Sequence, residues 1–491
     1  MTGGGAGPPR GEPGDGPAAG RLVHGVETEL GTDVDDPVAR AGQTSGDRPP
    51  STGEDQLSAY RPHQSRRDFL RTVAGSAVAA TALAAGASPA LAGPVGATRT
   101  GTGSLPDDAL RDALRAITDA GMPGVLAEVR DGAATWRGAS GLADITTGRP
   151  MRADFQHRIG SVTKTFVSTV LLQLVAERRL ELDAPLRRYL PRLAPDGVTV
   201  RMLLAHTSGI NDYDHVIFGS VENIEKYQHT TIRPLELAGI GLRQAPTNAP
   251  GERHSYSNTN YVLAGLLLER ITGRPAAVEV TRRVLRPLGL RRSYFPGTEP
   301  RIDGPHSAGY VPWIDGTLRD FSVYNMSWGW MVGDLVSTTA DLNRFFRALL
   351  GGRLLRPAEL AEMRRTVPTD PADPDGVGYG LGLLGVPLPT GPTWGHDGVV
   401  LGHQTLSLHS PDGRRQVSVG MNATHYWVPG QPDPIGAALG HFVATAFGGT
   451  PAPAAATRGR TSGHWSAAGP LTAAPGAATL HNPLPGARVP G

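Results

Sequence analysis

The heptapeptide Arg158-Ile159-Gly160-Ser161-Val162-Thr163-Lys164 stands at the start of a strongly apolar segment. From residue 162 to 177 the apolar side chains recur at helical spacing and cover more than one face. They are Val162, Phe166, Val167, Val170, Leu171, Leu174 and Val175. A helix that is apolar on several sides lies in the interior of a domain rather than on its surface. The segment therefore predicts a central buried helix that Ser161 opens.

Ser161 and Lys164 form a candidate reactive pair. A serine hydroxyl is a weak nucleophile at neutral pH and needs a base beside it. Side chains three apart lie on the same face of a helix, so the Lys164 amine can reach the Ser161 hydroxyl. The helix N-terminus favours negative charge on the serine, and burial favours the neutral amine. Gly160 permits a sharp turn before the serine. The pair alone has an ordinary alternative, because any serine can cap a helix that also carries a lysine.

The scarcity of lysine strengthens the reactive interpretation. The chain has 47 lysines and arginines together, and only Lys164 and Lys226 are lysines. Arginine stays protonated under all ordinary conditions, whereas a lysine can lose its proton when its pKa is lowered. A lysine kept at position 164 therefore favours a role that requires a neutral amine.

Two further segments place polar side chains among turn residues. In Tyr256-Ser257-Asn258, the phenol can relay a proton, and the amide can hold a substrate carbonyl or the lysine. In Trp394-Gly395-His396-Asp397-Gly398, the glycines permit close approach of the backbone to a ligand. A strand edge there can offer an N–H group to an oxyanion. Each segment alone is equally typical of a polar loop.

The pattern of apolar residues predicts one sheet whose strands come from both ends of the segment 105–449. Strands are predicted at 125–129, 134–141, 405–410 and 415–421, and flanking helices at 107–120 and 434–446. The middle, about 196–347, has many helical signals and few strands, which indicates a helical lobe.

Taken in order, Ser-x-x-Lys, Tyr-x-Asn and His-x-Gly resemble the serine penicillin-recognising enzymes. The closest resemblance is to the D-alanyl-D-alanine carboxypeptidase and class C β-lactamase branch. Leu203-Leu204-Ala205-His206-Thr207-Ser208-Gly209 and Gly378-Tyr379-Gly380-Leu381-Gly382 look like further landmarks of that family. The resemblance implies an α/β fold in which helices sandwich an antiparallel sheet, plus an all-helical lobe, with the site between them.

The resemblance also implies roles for the matching residues. Ser161 would be acylated and Lys164 would be its base. Tyr256 would shuttle protons, and Asn258 would position the substrate amide.

The third motif is implied to bind substrate. His396 stands where relatives carry His or Lys, and Gly398 and Val399 follow it. The backbone N–H groups of Ser161 and Val399 would form the oxyanion hole.

The substrate is less well specified than the nucleophile. The family's carboxypeptidases usually place a hydroxyl residue where Val399 stands and an arginine shortly before the third motif, yet 383–394 contains no basic residue. Asp397 adds a negative charge beside the expected carboxylate position. A carboxypeptidase-like serine hydrolase is predicted, with a carboxylesterase, an amidase or a β-lactamase as alternatives. A non-catalytic module that senses penicillin or binds cell wall is the alternative of another class.

The N-terminal region predicts export. Ser65-Arg66-Arg67-Asp68-Phe69-Leu70-Arg71, a weakly apolar run to about Ala87, and Ala90-Leu91-Ala92 resemble a cleavable twin-arginine signal at 65–92. The run is dominated by small residues, so a stable membrane anchor is not expected. Residues 1–64 and 450–491 are rich in Gly, Pro and polar residues, which predicts a disordered leader and tail around the hydrolase domain, 105–449. These features predict that the protein is secreted.

Composition excludes several other classes. The chain has no cysteine, so disulfides, thiolate metal sites and a cysteine nucleophile are excluded. The net charge is +2 and the arginines are scattered, so no nucleic-acid partner is expected. No cofactor is predicted, and a metal site at His396, His403 and His409 is disfavoured because no carboxylate cluster accompanies them. The expected partner is a small-molecule substrate or a peptidoglycan-derived peptide, and the sequence carries no signal for an oligomeric state.

Overall fold

A computed structural model of the chain describes residues 105–313, 315–425 and 432–449. The predicted leader (1–64), export signal (65–92) and tail (450–491) lie outside the described residues.

Thirteen strands are present in the described residues. They are β1 Gly124–Asp131, β2 Ala134–Asp144, β3 Arg149–Pro150, β4 His157–Arg158, β5 Tyr310–Pro312, β6 Leu318–Asp320, β7 Val336–Ser337, β8 Val367–Pro368, β9 Gly378–Tyr379, β10 Leu384–Leu388, β11 Gly391–Val400, β12 His403–His409 and β13 Arg415–Met421.

The same residues form twelve α-helices. They are α1 Asp107–Asp119, α2 Thr163–Ala176, α3 Val200–Leu204, α4 Asp214–Ile217, α5 Val221–His229, α6 Pro234–Leu242, α7 Asn258–Thr272, α8 Ala276–Val280, α9 Trp330–Gly333, α10 Thr339–Leu350, α11 Pro357–Arg364 and α12 Pro434–Ala446. Short 3₁₀ turns lie at Gly160–Val162 and Leu186–Arg188, and α8 continues into a π-helical turn at Thr281–Leu285.

Nine strands form one antiparallel sheet in the order β3-β2-β1-β13-β12-β11-β10-β9-β8. The first strand of the domain, β1, therefore lies between β2 and the last strand, β13, with Val125 opposite Met421. The prediction of one sheet built from both ends of the domain is confirmed. The terminal hairpin is also as predicted, although its first strand begins two residues earlier, at His403.

Helices cover both faces of this sheet. On one face α1 and α12 pack together and bury Leu114 and Phe442 against the alternate residues Val125, Ala127 and Val129 of β1. On the other face α10 crosses β1, β12 and β13. The α/β sandwich implied by the family resemblance is confirmed.

The remaining helices form the predicted lobe around α2. Residues 163–172 of this helix are buried without exception, and Phe166 stacks on Phe345 with ring centroids 3.6 Å apart. Helices α3, α7 and α9 contact α2 or its neighbours. The prediction of a central buried helix is confirmed. The lobe also contains the two-residue strand β7, which pairs with β4 beside the Ser161 turn.

Within the described ranges no helix has the length and apolarity needed to cross a membrane.

Candidate active site

Ser161 lies in a tight 3₁₀ turn, Gly160–Val162, immediately before α2. The sequence predicts that Ser161 opens the helix, whereas the helix begins two residues later, at Thr163. Gly160 has a φ of +56°, so the chain turns sharply after β4 and Ser161 lies within this turn. The Ser161 side chain is buried, with only 4% of the residue exposed. The turn delivers the hydroxyl to the interface between the sheet and the helical lobe.

Lys164 is fully buried one turn along, and its Nζ atom lies 2.9 Å from Ser161 Oγ. Two other oxygens surround the amine, Asn258 Oδ1 at 2.7 Å and the backbone carbonyl of Val332 at 3.1 Å. Burial lowers the pKa of Lys164 to about 7, although nearby carboxylates, Asp212 first among them, raise it in part. A substantial fraction of the amine is therefore neutral at neutral pH, as a base must be.

Tyr256 approaches the serine from the lobe. Its hydroxyl donates to Ser161 Oγ at 2.9 Å, and the Lys164 ammonium nitrogen lies 5.0 Å from the centre of its ring. Burial raises the pKa of Tyr256 well above its ordinary value, so the phenol stays protonated. Ser161 Oγ can then accept a hydrogen bond from Tyr256 while its own proton is directed at Lys164.

Asn258 is the first residue of α7. Its Oδ1 atom contacts Lys164, and its Nδ2 atom donates to Asp214 at 2.7 Å and to Asp212 at 3.1 Å. Of the two uses considered for this amide, the structure shows the contact with the lysine. The predicted contact with a substrate amide would have to compete with these protein partners.

The backbone of β11 meets the Ser161 turn at its glycines. β10 pairs with β11 only as far as Gly395, and the strand continues to Val400 against the turn at 160–162. A Cβ atom on Gly160 would lie 2.8 Å from the Val399 nitrogen, and one on Gly398 would lie 2.8 Å from the Ser161 nitrogen. The Ser161 and Val399 nitrogens thus lie at a close contact between two backbones, which leaves no room for a Cβ atom on Gly160 or Gly398.

His396 is buried one strand position from Asp397, and both of its ring nitrogens have partners. A carbonyl oxygen can only accept, so Nδ1 donates a hydrogen bond to the backbone carbonyl of Asp397. In the neutral ring Nε2 is then the acceptor, and it accepts a hydrogen bond from the Tyr379 hydroxyl at 2.9 Å. Burial lowers the pKa of His396 to about 4, which keeps the ring neutral. The structure therefore places His396 near the site as a neutral group bonded within the protein.

The model of the Beta-lactamase family matches residues 108–442. The chain belongs to the beta-lactamase family. The predicted superfamily is thereby confirmed.

Individual relatives of this family member carry different names. Esterase EstB of Burkholderia gladioli is 40% identical over 214 residues, which are 41% of this chain and 53% of the relative. A D-aminopeptidase of Cereibacter sphaeroides is 27% identical over 355 residues, 68% of this chain and 63% of the relative. The chain thus spans less than two thirds of the length of either.

Solved structures show the same fold over nearly their whole length. A D-stereospecific amidohydrolase from Streptomyces sp. superposes with a TM-score of 0.63 at 36% identity, covering 70% of this chain and 99% of the other. A D-amino acid amidase from Ochrobactrum anthropi SV3 in complex with L-phenylalanine amide gives 0.60 at 26% identity, covering 69% and 97%.

Three residues of this beta-lactamase family site were not singled out from the sequence. Tyr379 bonds His396, whereas Asp212 and Asp214 bond Asn258. The tyrosine lies in a segment that was recognised as a landmark, so its position carried a signal. The two aspartates carried none, because their partner is more than forty residues away in the sequence.

His206 belongs to the landmark segment 203–209 and supports the loop before α7. Its backbone is left-handed, with φ of +56°, and its Nδ1 atom accepts the backbone N–H of Ser257 at 3.1 Å. Its ring lies against Tyr256 with centroids 4.1 Å apart. His206 thus holds the loop that presents Tyr256 to Ser161.

Among residues 105–313, 315–425 and 432–449, no three histidine or carboxylate side chains are grouped so that they could hold a metal ion. Of the histidines considered for such a site, His409 contacts Ser407 Oγ through Nε2 at 2.9 Å.

Proposed function

We propose that this chain is an exported hydrolase that forms an acyl-enzyme on Ser161 and cleaves amides or esters of D-amino acids. The proposal rests on one observation: a base and a proton donor both lie within hydrogen-bond distance of the same hydroxyl oxygen. The Lys164 amine and the Tyr256 phenol both lie 2.9 Å from Ser161 Oγ.

The proposed acylation uses each of these contacts. Lys164 takes the Ser161 proton as Oγ bonds to the substrate carbonyl carbon, and the carbonyl oxygen becomes an oxyanion. The N–H groups of Ser161 and Val399 donate to that oxyanion. Tyr256 gives its proton to the leaving amine or alcohol and recovers one from Lys164.

Deacylation reverses the proton path. Water adds to the acyl carbonyl and gives one proton to Tyr256, which passes its own phenolic proton to Lys164. Lys164 then returns a proton to Ser161 Oγ as this oxygen leaves. The products are the carboxylic acid and the restored serine.

The charge of the site supports a substrate without a free carboxylate. Asp212 and Asp397 act electrostatically on Lys164. Residues 383–394 contain no arginine, lysine or histidine, and His396 is neutral. A substrate carboxylate would meet negative charge here, whereas a protonated amino group would be attracted. The relatives named D-aminopeptidase, D-stereospecific amidohydrolase and D-amino acid amidase support the same substrate class.

The D-alanyl-D-alanine carboxypeptidase activity predicted from the sequence is the second candidate. It is favoured by His396 at the third motif, which the carboxypeptidases of the family share. A β-lactamase and a simple carboxylesterase remain further outcomes of the test, and the relative named esterase EstB supports the latter.

One labelling experiment tests whether the chain is an acyl-enzyme hydrolase at all. A fluorophosphonate probe should modify Ser161 in the native protein, and the Ser161→Ala variant should neither be labelled nor turn over substrate. Absence of the adduct would favour the non-catalytic wall-binding or penicillin-sensing module.

A substrate panel then separates the activities. The values of kcat/KM are compared for a D-amino acid amide, its L enantiomer, a nitrophenyl ester, a D-alanyl-D-alanine peptide and a chromogenic cephalosporin. The proposal requires the D-amide or its ester to be preferred. Preference for the peptide would establish the carboxypeptidase instead.

Export is supported by Arg66-Arg67 and the cleavage pattern Ala90-Leu91-Ala92. Replacing both arginines by lysine should retain the protein inside a bacterial host that has the twin-arginine pathway. Unchanged export of that variant would contradict the proposal.

A further inference from the structure

Two buried aspartates lie behind the Lys164 amine, on the far side of Asn258. Asp212 and Asp214 are 5% and 2% exposed and stand at the entrance to α4. Both accept from Asn258 Nδ2 through their Oδ2 atoms, at 3.1 Å and 2.7 Å. Because these carboxyl oxygens act as acceptors, the amide nitrogen must face them. Asn258 Oδ1 therefore faces Lys164.

This orientation decides what the lysine can do. Asn258 Oδ1 and the Val332 carbonyl oxygen can only accept hydrogen bonds, and they lie 2.7 and 3.1 Å from Nζ. A neutral amine has two N–H groups and one lone pair. When both N–H groups are given to these oxygens, the lone pair is left for the third neighbour, Ser161 Oγ at 2.9 Å. The neutral lysine is thereby arranged to accept the serine proton.

The two aspartates are not equivalent. Asp212 Oδ1 accepts the backbone N–H of Asp214 at 3.1 Å, and the backbone of Asn258 also bonds this carboxylate. Burial raises the pKa of both groups, and for Asp214 the neighbouring charge of Asp212 raises it further, to well above its ordinary value. Two buried carboxyl groups that share one donor do not both stay ionised. Asp212 thus carries the charge and Asp214 the proton.

We propose that Asp212 is a positioning residue that acts through Asn258: it fixes the amide so that the Lys164 lone pair faces Ser161. Its charge also sets the lower limit of the pH range in which the lysine is a base. This inference rests on the proposed roles of Ser161 and Lys164.

The other groups that face the lysine are unchanged in the Asp212 and Asp214 variants. Asp397 of β11 adds negative charge, and Tyr261 places its ring 5.6 Å from Nζ, beyond Tyr256. His206 and His396 are neutral because burial lowers the pKa of each. His215 lies near Asp212 and stabilises its charge.

The test is a direct titration of Lys164 in the full chain. The protein has only two lysines, so incorporation of [ε-¹³C]lysine gives two NMR signals, and Lys226→Arg identifies the other one. Asp212→Asn removes the charge, whereas Asp214→Asn copies the protonated form and is the matched control. We expect the pKa of Lys164 to fall by about one unit in D212N, and to move by no more than a few tenths in D214N.

Kinetics supply the second readout. In D212N, kcat/KM should fall about 10- to 100-fold and its acid limb should move to lower pH together with the lysine signal. D214N should leave the acid limb and the Lys164 signal at their native pH. A Lys164 titration that is unchanged in D212N, or that moves equally in D214N, overturns the inference.

A third variant keeps the test decisive if D212N does not fold. Asp212→Glu retains the charge but displaces Asn258, so the Lys164 titration should stay within a few tenths of a unit while kcat falls. A titration shifted by about a unit in D212E or D214N would overturn the inference. Fluorophosphonate labelling of the native protein separates the two proposals. Without labelling of Ser161 the proposed function fails, whereas labelling with an unmoved lysine signal in D212N refutes only the positioning role.

Discussion

Gly398 and Ser161 meet backbone to backbone at the junction of β11 and the turn before α2. A Cβ atom on Gly398 would lie 2.8 Å from the Ser161 nitrogen and would overlap the carbonyl oxygen of Ile159. No flexible side chain lies at this contact to make room, so the strand and the turn would have to separate. The proposed oxyanion site needs both backbones in place.

Gly398→Ala should therefore lose activity and stability together. Overpacking of this kind destabilises a fold by about 1–3 kcal/mol, and kcat should fall more than the binding of substrate. Gly333→Ala is the matched control, because a Cβ atom there would meet the Gly160 backbone at ordinary contact distances of 3.5 Å and more. Thermal unfolding and kcat/KM measure the outcome, and a G398A protein as active as G333A would contradict the assigned geometry.

Lys164→Arg should abolish turnover although it keeps the positive charge. Arginine does not lose its proton and cannot accept one from Ser161. Removal of a general base costs about 10²–10⁴-fold in rate. Lys226→Arg changes the other lysine, which is exposed, and should leave kcat/KM unchanged. Equal activity of the two variants would show that Lys164 is not the base.

The pH profile should show an acid limb near pH 7. Burial lowers the pKa of Lys164 to about 7, so the base is protonated and inactive below that value. In this range kcat/KM should fall about tenfold for each pH unit. The raised pKa of Tyr256 keeps the phenol protonated on the alkaline side. A profile that is flat between pH 5 and 8 would be inconsistent with lysine as the base.

Much of the fold could be predicted because its main elements have a strong period. The central helix α2 and the hairpin of β12 and β13 carry apolar residues at helical or alternating spacing, and both lie close to their predicted ranges. Strands β8 and β9 have two residues each and no detectable period, so the far edge of the sheet was not predicted.

The site was predicted as far as its motifs are local. Ser161 and Lys164 lie one turn apart, so their contact follows from helix geometry. The pairing of Asn258 with Asp212 and Asp214 depends on how the lobe folds, and nothing in the local sequence indicates it. The same holds for Tyr379, whose bond to His396 joins β9 to β11 across β10. Long-range hydrogen bonds of this kind set the protonation states, and a single sequence does not reveal them.

Tyr256→Phe should distinguish amide from ester hydrolysis. The Tyr256 hydroxyl lies 2.9 Å from Ser161 Oγ and is the proposed proton donor to the leaving group. An amine must be protonated to leave, whereas nitrophenolate leaves without a proton. We expect kcat/KM for a D-amino acid amide to fall by about 10²–10⁴-fold, and that for a nitrophenyl ester by less than about tenfold.

Tyr379→Phe is the matched control for this prediction, because its hydroxyl contacts His396 rather than the serine. It should lower the two substrates' rates by a similar factor, since it removes no proton donor to the leaving group. If Y256F slows the ester as much as the amide, the phenol is needed to activate or orient Ser161 itself. Proton delivery to the leaving group would then have to come from Lys164.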